Sequence, residues 1–251
     1  FINFFVGIFL SFNLVFNYVQ TVRTSPGDIP KEWLAALENV EELKLSSKTE
    51  KGKSWAKYCT RCRQAKAPRA HHCHICDKCV CRMDHHCPWV NNCVGYNNHR
   101  YFILFLTYLW LSAIYLGSLL ALASFDIISF NPELYGQWHT WVTFVMVLCA
   151  SVGVTMTGFL GWHLYLVATN QTTIEFQFNK LRMITERGTG KLAINEYDVG
   201  VRNNFDQLFA LGTGSFLWGM LPSFKALPLN GADYPTLSSL SYSKADDVHI
   251  V

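Results

Sequence analysis

Eight of the nine cysteines of this chain lie within residues 59–93, a stretch that also contains five histidines. The cysteines recur as Cys-x-x-Cys pairs, which begin at Cys59, Cys73 and Cys76. A pair at this spacing can direct two thiolates to one tetrahedral ion from a short turn, so the pattern predicts zinc sites. A disulfide framework is the alternative. The compartment of the segment decides between the two, because disulfides rarely persist in a reducing cytosol.

Cys87 differs from the other cysteines because it follows two histidines and precedes Pro88. Ligand counting does not separate it, since eight cysteines could fill two four-coordinate sites. The residue before a proline favours extended backbone, in which His85 and Cys87 face one side and His86 the other. One histidine can then reach the cysteine while the other ligates a metal. The local sequence therefore predicts a Cys-His nucleophile pair built onto a zinc module.

Three stretches of the chain are long and apolar enough to cross a bilayer. Residues 1–22 carry no charge and would form a helix about 33 Å long. Residues 101–125 are also uncharged, and residues 140–169 are uncharged apart from His163. A soluble domain of this size would rarely contain three such segments, so we predict three transmembrane helices.

The distribution of positive charge orients these helices. Residues 23–100 hold 14 Lys and Arg and residues 175–251 hold 7, whereas the loop 126–139 holds none. The positive-inside rule places the two basic segments in the cytosol and the loop in the lumen. The cysteine-rich segment then lies in a reducing compartment, which favours zinc over disulfides.

The long pattern of spaced cysteines and histidines resembles the cysteine-rich domain of the Asp-His-His-Cys (DHHC) protein S-acyltransferases. In this chain its positions are Cys59, Cys62, His72, Cys73, Cys76, Cys79, Asp84, His85, His86, Cys87, Cys93, Asn98 and Phe102. A second motif of that family, Thr-Thr-x-Glu, is matched by residues 172–175. The resemblance covers roughly residues 1–224. It implies an α-helical polytopic membrane protein with a cytosolic double-zinc module of short β-hairpins, and a fourth span is expected upstream of Phe1.

By this resemblance, two structural Zn²⁺ ions are bound by interleaved sets of three cysteines and one histidine. The first set is Cys59, Cys62, His72 and Cys79, and the second set is Cys73, Cys76, His86 and Cys93. Four protein ligands close a zinc site, so both ions are expected to be structural rather than catalytic. Cys81 and Cys87 remain outside both sets.

The resemblance also implies a ping-pong S-palmitoyltransferase. Cys87 would attack a long-chain acyl-CoA such as palmitoyl-CoA and pass the acyl group to a cysteine of a membrane-associated protein. His85 is the expected general base, and Asp84 the residue that orients it. Neighbouring side chains on a regular strand point apart, so this pairing predicts a turn at Asp84 and His85. An ordinary capping or ion-pairing role is the alternative for Asp84.

Charge and position select candidate contacts for acyl-CoA. The candidates for the CoA phosphates are Lys66, Arg69 and His71, for which anionic lipid head groups are an alternative target. The candidates for lining an acyl slot are Trp89, Phe102, Phe105 and Ser112. The aromatic members of this set could instead be ordinary anchors at the membrane interface.

The remaining segments are predicted to surround the zinc domain, residues 59–100. Residues 23–58 are predicted to be a cytosolic linker and residues 170–224 a cytosolic C-terminal region. The apolar part of that C-terminal region, residues 204–224, is expected to lie at the membrane interface. In it, Asn204 and Phe205 are candidates for a further family motif. Residues 225–251 are predicted to be a disordered tail.

Two other classes of function compete with an acyltransferase. A zinc-finger protein that reads nucleic acid would explain the basic charge but not three membrane spans, so no nucleic-acid partner is expected. A membrane scaffold or transporter with a zinc module would need no spare cysteine beside His85. Covalent acylation of Cys87 separates these classes. The family resemblance further implies a multi-pass location in the endoplasmic reticulum or Golgi membrane.

Ser112 supplies a test of the acyl slot. On a helix, Phe102, Phe105 and Ser112 share one face, with Ser112 about 15 Å deeper than Phe102. We expect Ser112→Phe to fill the far end of the slot, disfavouring long acyl-CoAs while sparing shorter ones. Competition between short and long acyl-CoAs measures this preference. An unchanged preference in a well-folded variant removes Ser112 from the slot, and equal destabilisation with every chain length indicates helix packing instead.

Overall fold

A computed structural model describes residues 1–37, 58–125, 132–185, 195–212, 216–225 and 227–239. Parts of the predicted linker (38–57), lumenal loop (126–131) and tail (240–251) lie outside these described residues. The chain divides into two compact units. The membrane unit comprises Phe1–Tyr18 and Phe102–Leu164, and the zinc-module unit comprises Val19–Tyr101 and Tyr165–Val251.

Helices long and apolar enough to cross a bilayer confirm the predicted membrane class. Helix α1 spans Ile2–Arg23, the short α2 spans Lys31–Ala35, α3 spans His99–Ser124 and α4 spans Pro132–Ala168. The span-like part of α4 is Trp138–Ala168. Because α4 begins at Pro132, residues 132–139 are helical rather than part of a loop. Proline suits the first helical turn, where its missing amide hydrogen would have had no partner.

Several polar side chains in the membrane unit donate hydrogen bonds within the protein. Asn13 and Asn17 are fully buried, as their shared helix face predicts, and each donates from Nδ2 to the carbonyl oxygen four residues earlier at 2.8 Å. Trp110 Nε1 donates to Thr157 Oγ1 at 2.8 Å. A bilayer offers no water to such groups, so these internal bonds compensate for their burial.

Three antiparallel hairpins form the zinc module. Strand β1 (Tyr58–Cys59) pairs with β2 (Gln64–Ala65), β3 (His71–Cys73) with β4 (Lys78–Val80), and β5 (His85–Cys87) with β6 (Asn92–Val94). In each hairpin the cysteine that ends the first strand is paired with the residue five positions later. The hairpins therefore share one register, which confirms the predicted module of short β-hairpins.

The three hairpin turns also share one backbone conformation. Four positions after the first-strand cysteine, each turn has a residue in the left-handed region: Arg63 (φ 55°), Asp77 (φ 50°) and Asn91 (φ 47°). Asp and Asn tolerate this region better than most side chains. The module is thus built from three copies of one Cys-containing turn.

The C-terminal region adds three helices to the zinc-module unit. Helix α5 spans Thr173–Thr185, α6 spans Val201–Phe209 and α7 spans Phe216–Gly219. Asn204, a predicted motif residue, is buried and donates from Nδ2 to the Ala168 carbonyl at the end of α4 (2.7 Å). The last carbonyl groups of a helix have no hydrogen-bond donor within the helix, so Asn204 supplies a donor at the C-terminal end of α4. Phe205 stacks on Phe209, with ring centroids 6.0 Å apart.

Residues 227–239, the C-terminal strap, pack against the zinc module, so the prediction of disorder from residue 225 is wrong for this segment. The Tyr96 hydroxyl donates to the Leu229 carbonyl (2.7 Å) and accepts from the Leu229 amide (2.9 Å), and Ala232 is fully buried. At Gly231 (φ 83°) a Cβ would lie 3.0 Å from the Tyr96 ring. The few apolar side chains of this segment are buried only when the module has folded. The composition of the segment alone therefore does not reveal that it packs against the module.

Candidate active site and metal sites

Two groups of cysteine and histidine side chains converge where the family resemblance implied metal ions. The first group is Cys59, Cys62, His72 and Cys79, the second is Cys73, Cys76, His86 and Cys93, and in each the donor atoms lie within 4.8 Å of one another. Each group combines the Cys-x-x-Cys turn of one hairpin with a histidine and a cysteine of the next hairpin. The two groups could therefore join the three hairpins in series.

Distances between donor atoms fit tetrahedral zinc. Bonds of about 2.3 Å to sulfur and about 2.0–2.1 Å to nitrogen give tetrahedron edges of about 3.6–3.8 Å. In the second group, Cys76 Sγ lies 3.5 Å from Cys93 Sγ. His86 Nδ1 lies 3.7, 3.4 and 3.6 Å from the sulfurs of Cys73, Cys76 and Cys93. With four protein ligands, such a site has no position open to a substrate.

Asp84, His85 and Cys87 meet beside the second metal group. His85 Nδ1 donates to Asp84 Oδ2 at 2.6 Å, and the His85 ring also forms a hydrogen bond with the Cys87 side chain. The turn before β5 lies at Cys81 and Arg82 (φ 43°), so the prediction of a turn at Asp84 and His85 is wrong. Asp84 precedes the strand, and the alternation of side chains along β5 does not apply to it.

Asp84 is held as a carboxylate. It is 1% exposed and accepts hydrogen bonds from the Thr173 amide (2.7 Å) and the Thr173 hydroxyl (3.0 Å) besides that from His85. Burial alone would raise the pKa of Asp84, but the hydrogen bond from His85, the His85 charge and the hydrogen bond from the Thr173 amide hold it well below its usual range. A permanent anion at this position favours a protonated His85.

The pKa values of His85 and Cys87 are shifted toward an ion pair. Burial would lower the pKa of His85, but hydrogen bonds with Asp84 and Cys87 raise it to about 9. Burial would raise the pKa of Cys87, but the hydrogen bond with His85, the His85 charge and the amides of Trp89 and Val90 lower it. The arrangement favours an imidazolium beside a thiolate, which is the nucleophilic form of cysteine.

The Thr-Thr-x-Glu motif connects α5 to Asp84. Thr172 and Glu175 form a capping box: the Glu175 amide donates to Thr172 Oγ1 (3.2 Å), and the Thr172 amide donates to Glu175 Oε2 (2.9 Å). Thr173 lies between them and directs its amide and hydroxyl at Asp84. The hydrogen bonds of the capping box therefore hold the first turn of α5, and in the same turn Thr173 donates to the Asp84 carboxylate.

Arg69 belongs to this network and not to a surface for CoA. Its Nε and Nη2 donate to the two carboxylate oxygens of Glu175, both at 2.7 Å, and its Nη1 donates to Asn170 Oδ1 at 3.0 Å. The Arg69 side chain is only 1% exposed. The prediction that Arg69 contacts the CoA phosphates is therefore wrong, because its guanidinium is buried in a bidentate ion pair.

Asn170 and Arg82 are two residues of the network that the sequence analysis missed. Asn170 Oδ1 accepts from Arg69 and also from Arg82 Nη2 (3.2 Å), while Arg82 Nη1 donates to His99 Nδ1 (3.0 Å). Asn170 has φ 46° and follows the end of α4. Asparagine is common at that left-handed position after a helix, so the sequence could have indicated the helix end but not the two arginines.

The other predicted contacts of acyl-CoA stay predictions. Lys66 and His71 are half-buried, and Trp89 is 84% exposed. In the membrane unit, Phe102 is buried and Phe105 half-buried. The Ser112 hydroxyl is buried without a hydrogen-bond partner among the described residues.

Cys81 lies outside both metal groups and away from any exposed surface. Its Sγ donates to the Asp28 carbonyl at 3.4 Å, and burial raises its pKa to about 12. Unlike Cys87, it has no histidine partner that would favour the thiolate. Of the two cysteines within residues 59–93 that the metal groups leave over, Cys87 alone among the described residues pairs with a histidine.

Together these features define a membrane protein whose candidate nucleophile is a cysteine on a module with two candidate metal sites. A family model described as "DHHC palmitoyltransferase" matches residues 53–180. The chain is 33% identical over 246 residues to "Probable protein S-acyltransferase 14" of Arabidopsis thaliana, a match covering 91% of this chain and 76% of that protein. It is 36% identical over 183 residues to "Palmitoyltransferase ZDHHC2" of Homo sapiens, a match covering 72% of this chain and 46% of that protein. The chain belongs to the DHHC palmitoyltransferase family, which confirms the family and the acyltransferase class expected from the sequence.

Metal content separates ligands from neighbouring residues. We expect two zinc ions per chain in the purified protein, measured by elemental analysis. Cys73→Ala and His86→Ala should lose metal and lower the unfolding temperature, because structural zinc contributes directly to folding. The adjacent variants His85→Ala and Cys87→Ser are matched controls and should keep both ions. Zinc loss in Cys87→Ser would show that Cys87 is a ligand.

The Thr173 hydroxyl offers a second test. Thr173→Val keeps the size of the side chain but removes the donor to Asp84. Hydrogen bonds to charged groups contribute about 1.5–3 kcal/mol, so we expect the rate of acyl transfer to fall by about tenfold or more. Thr173→Ser keeps the hydroxyl and should retain most of the rate. Equal rates for the valine and serine variants would exclude a role for this bond.

Proposed function

We propose that the protein is a protein S-palmitoyltransferase that transfers a long-chain acyl group from acyl-CoA to cysteines of membrane-associated proteins. The observation that carries the proposal is the pairing of Cys87 with His85, outside both metal groups. Membership of the DHHC palmitoyltransferase family supports it. A zinc-containing scaffold would need thiolates only as metal ligands and would not require a further cysteine paired with a histidine outside the metal groups.

In the first half-reaction, the Cys87 thiolate attacks the carbonyl carbon of the acyl-CoA thioester. A new carbon–sulfur bond forms to Cys87 and the bond to the CoA sulfur breaks. The CoA thiolate leaves and takes the proton of the His85 imidazolium. Asp84 accepts the Nδ1 hydrogen of His85 throughout, so the ring keeps one orientation while its charge changes.

In the second half-reaction, neutral His85 acts as the base. It accepts the proton of the substrate cysteine, and the resulting thiolate attacks the acyl group on Cys87. Cys87 leaves as a thiolate beside a newly formed imidazolium, which restores the starting pair. The ping-pong order follows because one sulfur atom is first the nucleophile and then the leaving group.

The two zinc ions would supply structure rather than chemistry. They would be held by the two groups of three cysteines and one histidine described above. His86 would be a ligand while its neighbour His85 faces Cys87, so a metal in the second group would fix the orientation of β5. Strands of two or three residues have few hydrogen bonds of their own, and metal ligation offsets this weakness.

The distribution of positive charge supports the proposed orientation, and the family resemblance supports the proposed organelle. We propose that the zinc module faces the cytosol, where acyl-CoA is supplied, and that the protein resides in the endoplasmic reticulum or Golgi membrane. Lys66 and His71 remain candidates for the CoA phosphates. An acyl chain is stabilised by apolar surroundings, for which Trp89, Phe102 and Phe105 are candidates.

The covalent intermediate tests this function. Purified protein incubated with radiolabelled palmitoyl-CoA is expected to take up one label per chain, and hydroxylamine should release it because it cleaves thioesters. Cys87→Ser should abolish the label. Cys81→Ser removes the other cysteine of residues 59–93 that lies outside the metal groups, and it should keep the label. Labelling that persists in Cys87→Ser would overturn the assignment of the nucleophile.

A further inference from the structure

We propose that the C-terminal strap, through Tyr234, is a positioning element for Asp84 and His85. The inference rests on the proposed function, since it assigns a role in the same reaction to a segment that contains none of the predicted site residues. Tyr234 would act through Arg69 and would not contact the substrate. Four successive contacts in the zinc-module unit carry the argument.

The first contact fixes the strap itself. Both backbone groups of Leu229 are bonded to the Tyr96 hydroxyl. At Gly231 (φ 83°) an added Cβ would lie 3.0 Å from the Tyr96 ring, so a larger residue there would be strained and would displace the ring. The Tyr234 ring lies edge-on to Tyr96, with centroids 6.0 Å apart. Tyr234 is therefore held at a defined place against the module.

The second contact is between aromatic rings and the buried guanidinium. Arg69 Cζ lies 4.5 Å from the centroid of the Tyr197 ring and 5.0 Å from that of Tyr234. Both distances are within the range of cation–π attraction, which is strongest when water is excluded. The two rings thus shield Arg69 from solvent and limit the rotation of its plane.

The third contact is the ion pair between Arg69 and Glu175. The fourth is the contact between the start of α5 and Asp84, and it leads to the candidate catalytic residues. A bidentate pair requires that the guanidinium and carboxylate be coplanar, so the orientation of Arg69 determines that of Glu175. Glu175 bonds the Thr172 amide, and the next residue, Thr173, donates twice to Asp84. Asp84 in turn orients His85. Loss of the Tyr234 ring would loosen each of these contacts in turn.

The test compares Tyr234→Leu with Tyr234→Phe in the full chain, in single-turnover labelling by palmitoyl-CoA. Leucine removes the aromatic face, and we expect about a tenfold lower labelling rate at saturating palmitoyl-CoA, with an unchanged half-saturating concentration and two bound zinc ions. Phenylalanine keeps the face and should label within about twofold of the unmodified protein. A normal rate in Tyr234→Leu, or loss of zinc that accounts for the whole decrease, would overturn the inference.

A double-mutant cycle tests the route through Glu175. If Tyr234 acts through the ion pair, adding Tyr234→Leu to Glu175→Gln should slow labelling no further, because that route is already broken. Multiplied effects would mean that Tyr234 acts independently and would overturn the proposal. If Tyr234→Leu does not fold, Tyr96→Phe decides, since it releases Leu229 but keeps the Tyr234 ring. Several-fold slower labelling is then expected, and a full rate contradicts the role of the strap.

Alkylation of Cys87 by iodoacetamide, followed by peptide mass spectrometry, separates this inference from the proposed function. It measures thiolate reactivity and needs no acyl transfer. If the unmodified protein takes no acyl label but Tyr234→Leu still slows alkylation of Cys87, the function fails and the positioning role stands. If the unmodified protein labels normally and Tyr234→Leu changes neither labelling nor alkylation, only the positioning role fails.

Discussion

The buried ion pair of Arg69 and Glu175 is the interaction on which the arrangement of the site depends. Burying either charge alone is costly, and breaking such a pair by removing one partner typically costs about 3–5 kcal/mol. The pair therefore requires the chain before β3 and the start of α5 to lie together, although they are 106 residues apart. Asp84 and Thr173 meet as a consequence. Asn170 adds a second constraint, because its side-chain oxygen binds Arg69 and Arg82 at once.

Metal ligation and the ion pair perform different tasks. The hairpins have strands of two or three residues and share no strand pairing with one another in the part of the chain described, so their mutual arrangement depends on the ligand groups. These groups determine where β5 lies. The position of the Asp84 carboxylate relative to His85 is instead determined by α5 and by the residues that pack around Arg69. The arrangement of the hairpins and the orientation of Asp84 toward His85 thus depend on separate parts of the sequence.

Short patterns in the sequence predicted the features that depend on residues close together in the chain, namely the metal-binding hairpins and the membrane helices. Cysteine spacing predicted metal binding, and uncharged stretches predicted the membrane helices to within a few residues, apart from the start of α4. The assignment of particular residues to the two ligand groups came from the family resemblance. The errors concern long-range contacts. Nothing near Arg69 indicates that its partner is Glu175, and a basic segment would equally suit a phosphate. Tyr234 and Ala232 lie in a polar segment, and their burial requires a surface that exists only after the module has folded.

The shared register of the three hairpins places Cys87 at the same point of its turn as Cys59 and Cys73. In the first two hairpins, amides two and three positions after the first cysteine donate to its sulfur, and the cysteine three positions on completes the chelating pair. The third hairpin keeps those amide donors at Cys87, but Val90 occupies the place of the second cysteine. Cys87 thus lies at the position that the first cysteine of a candidate metal-binding pair occupies in the other two hairpins. The amides of its turn still lower the pKa of Cys87, and the side chain that pairs with its sulfur is His85 rather than a member of a metal group.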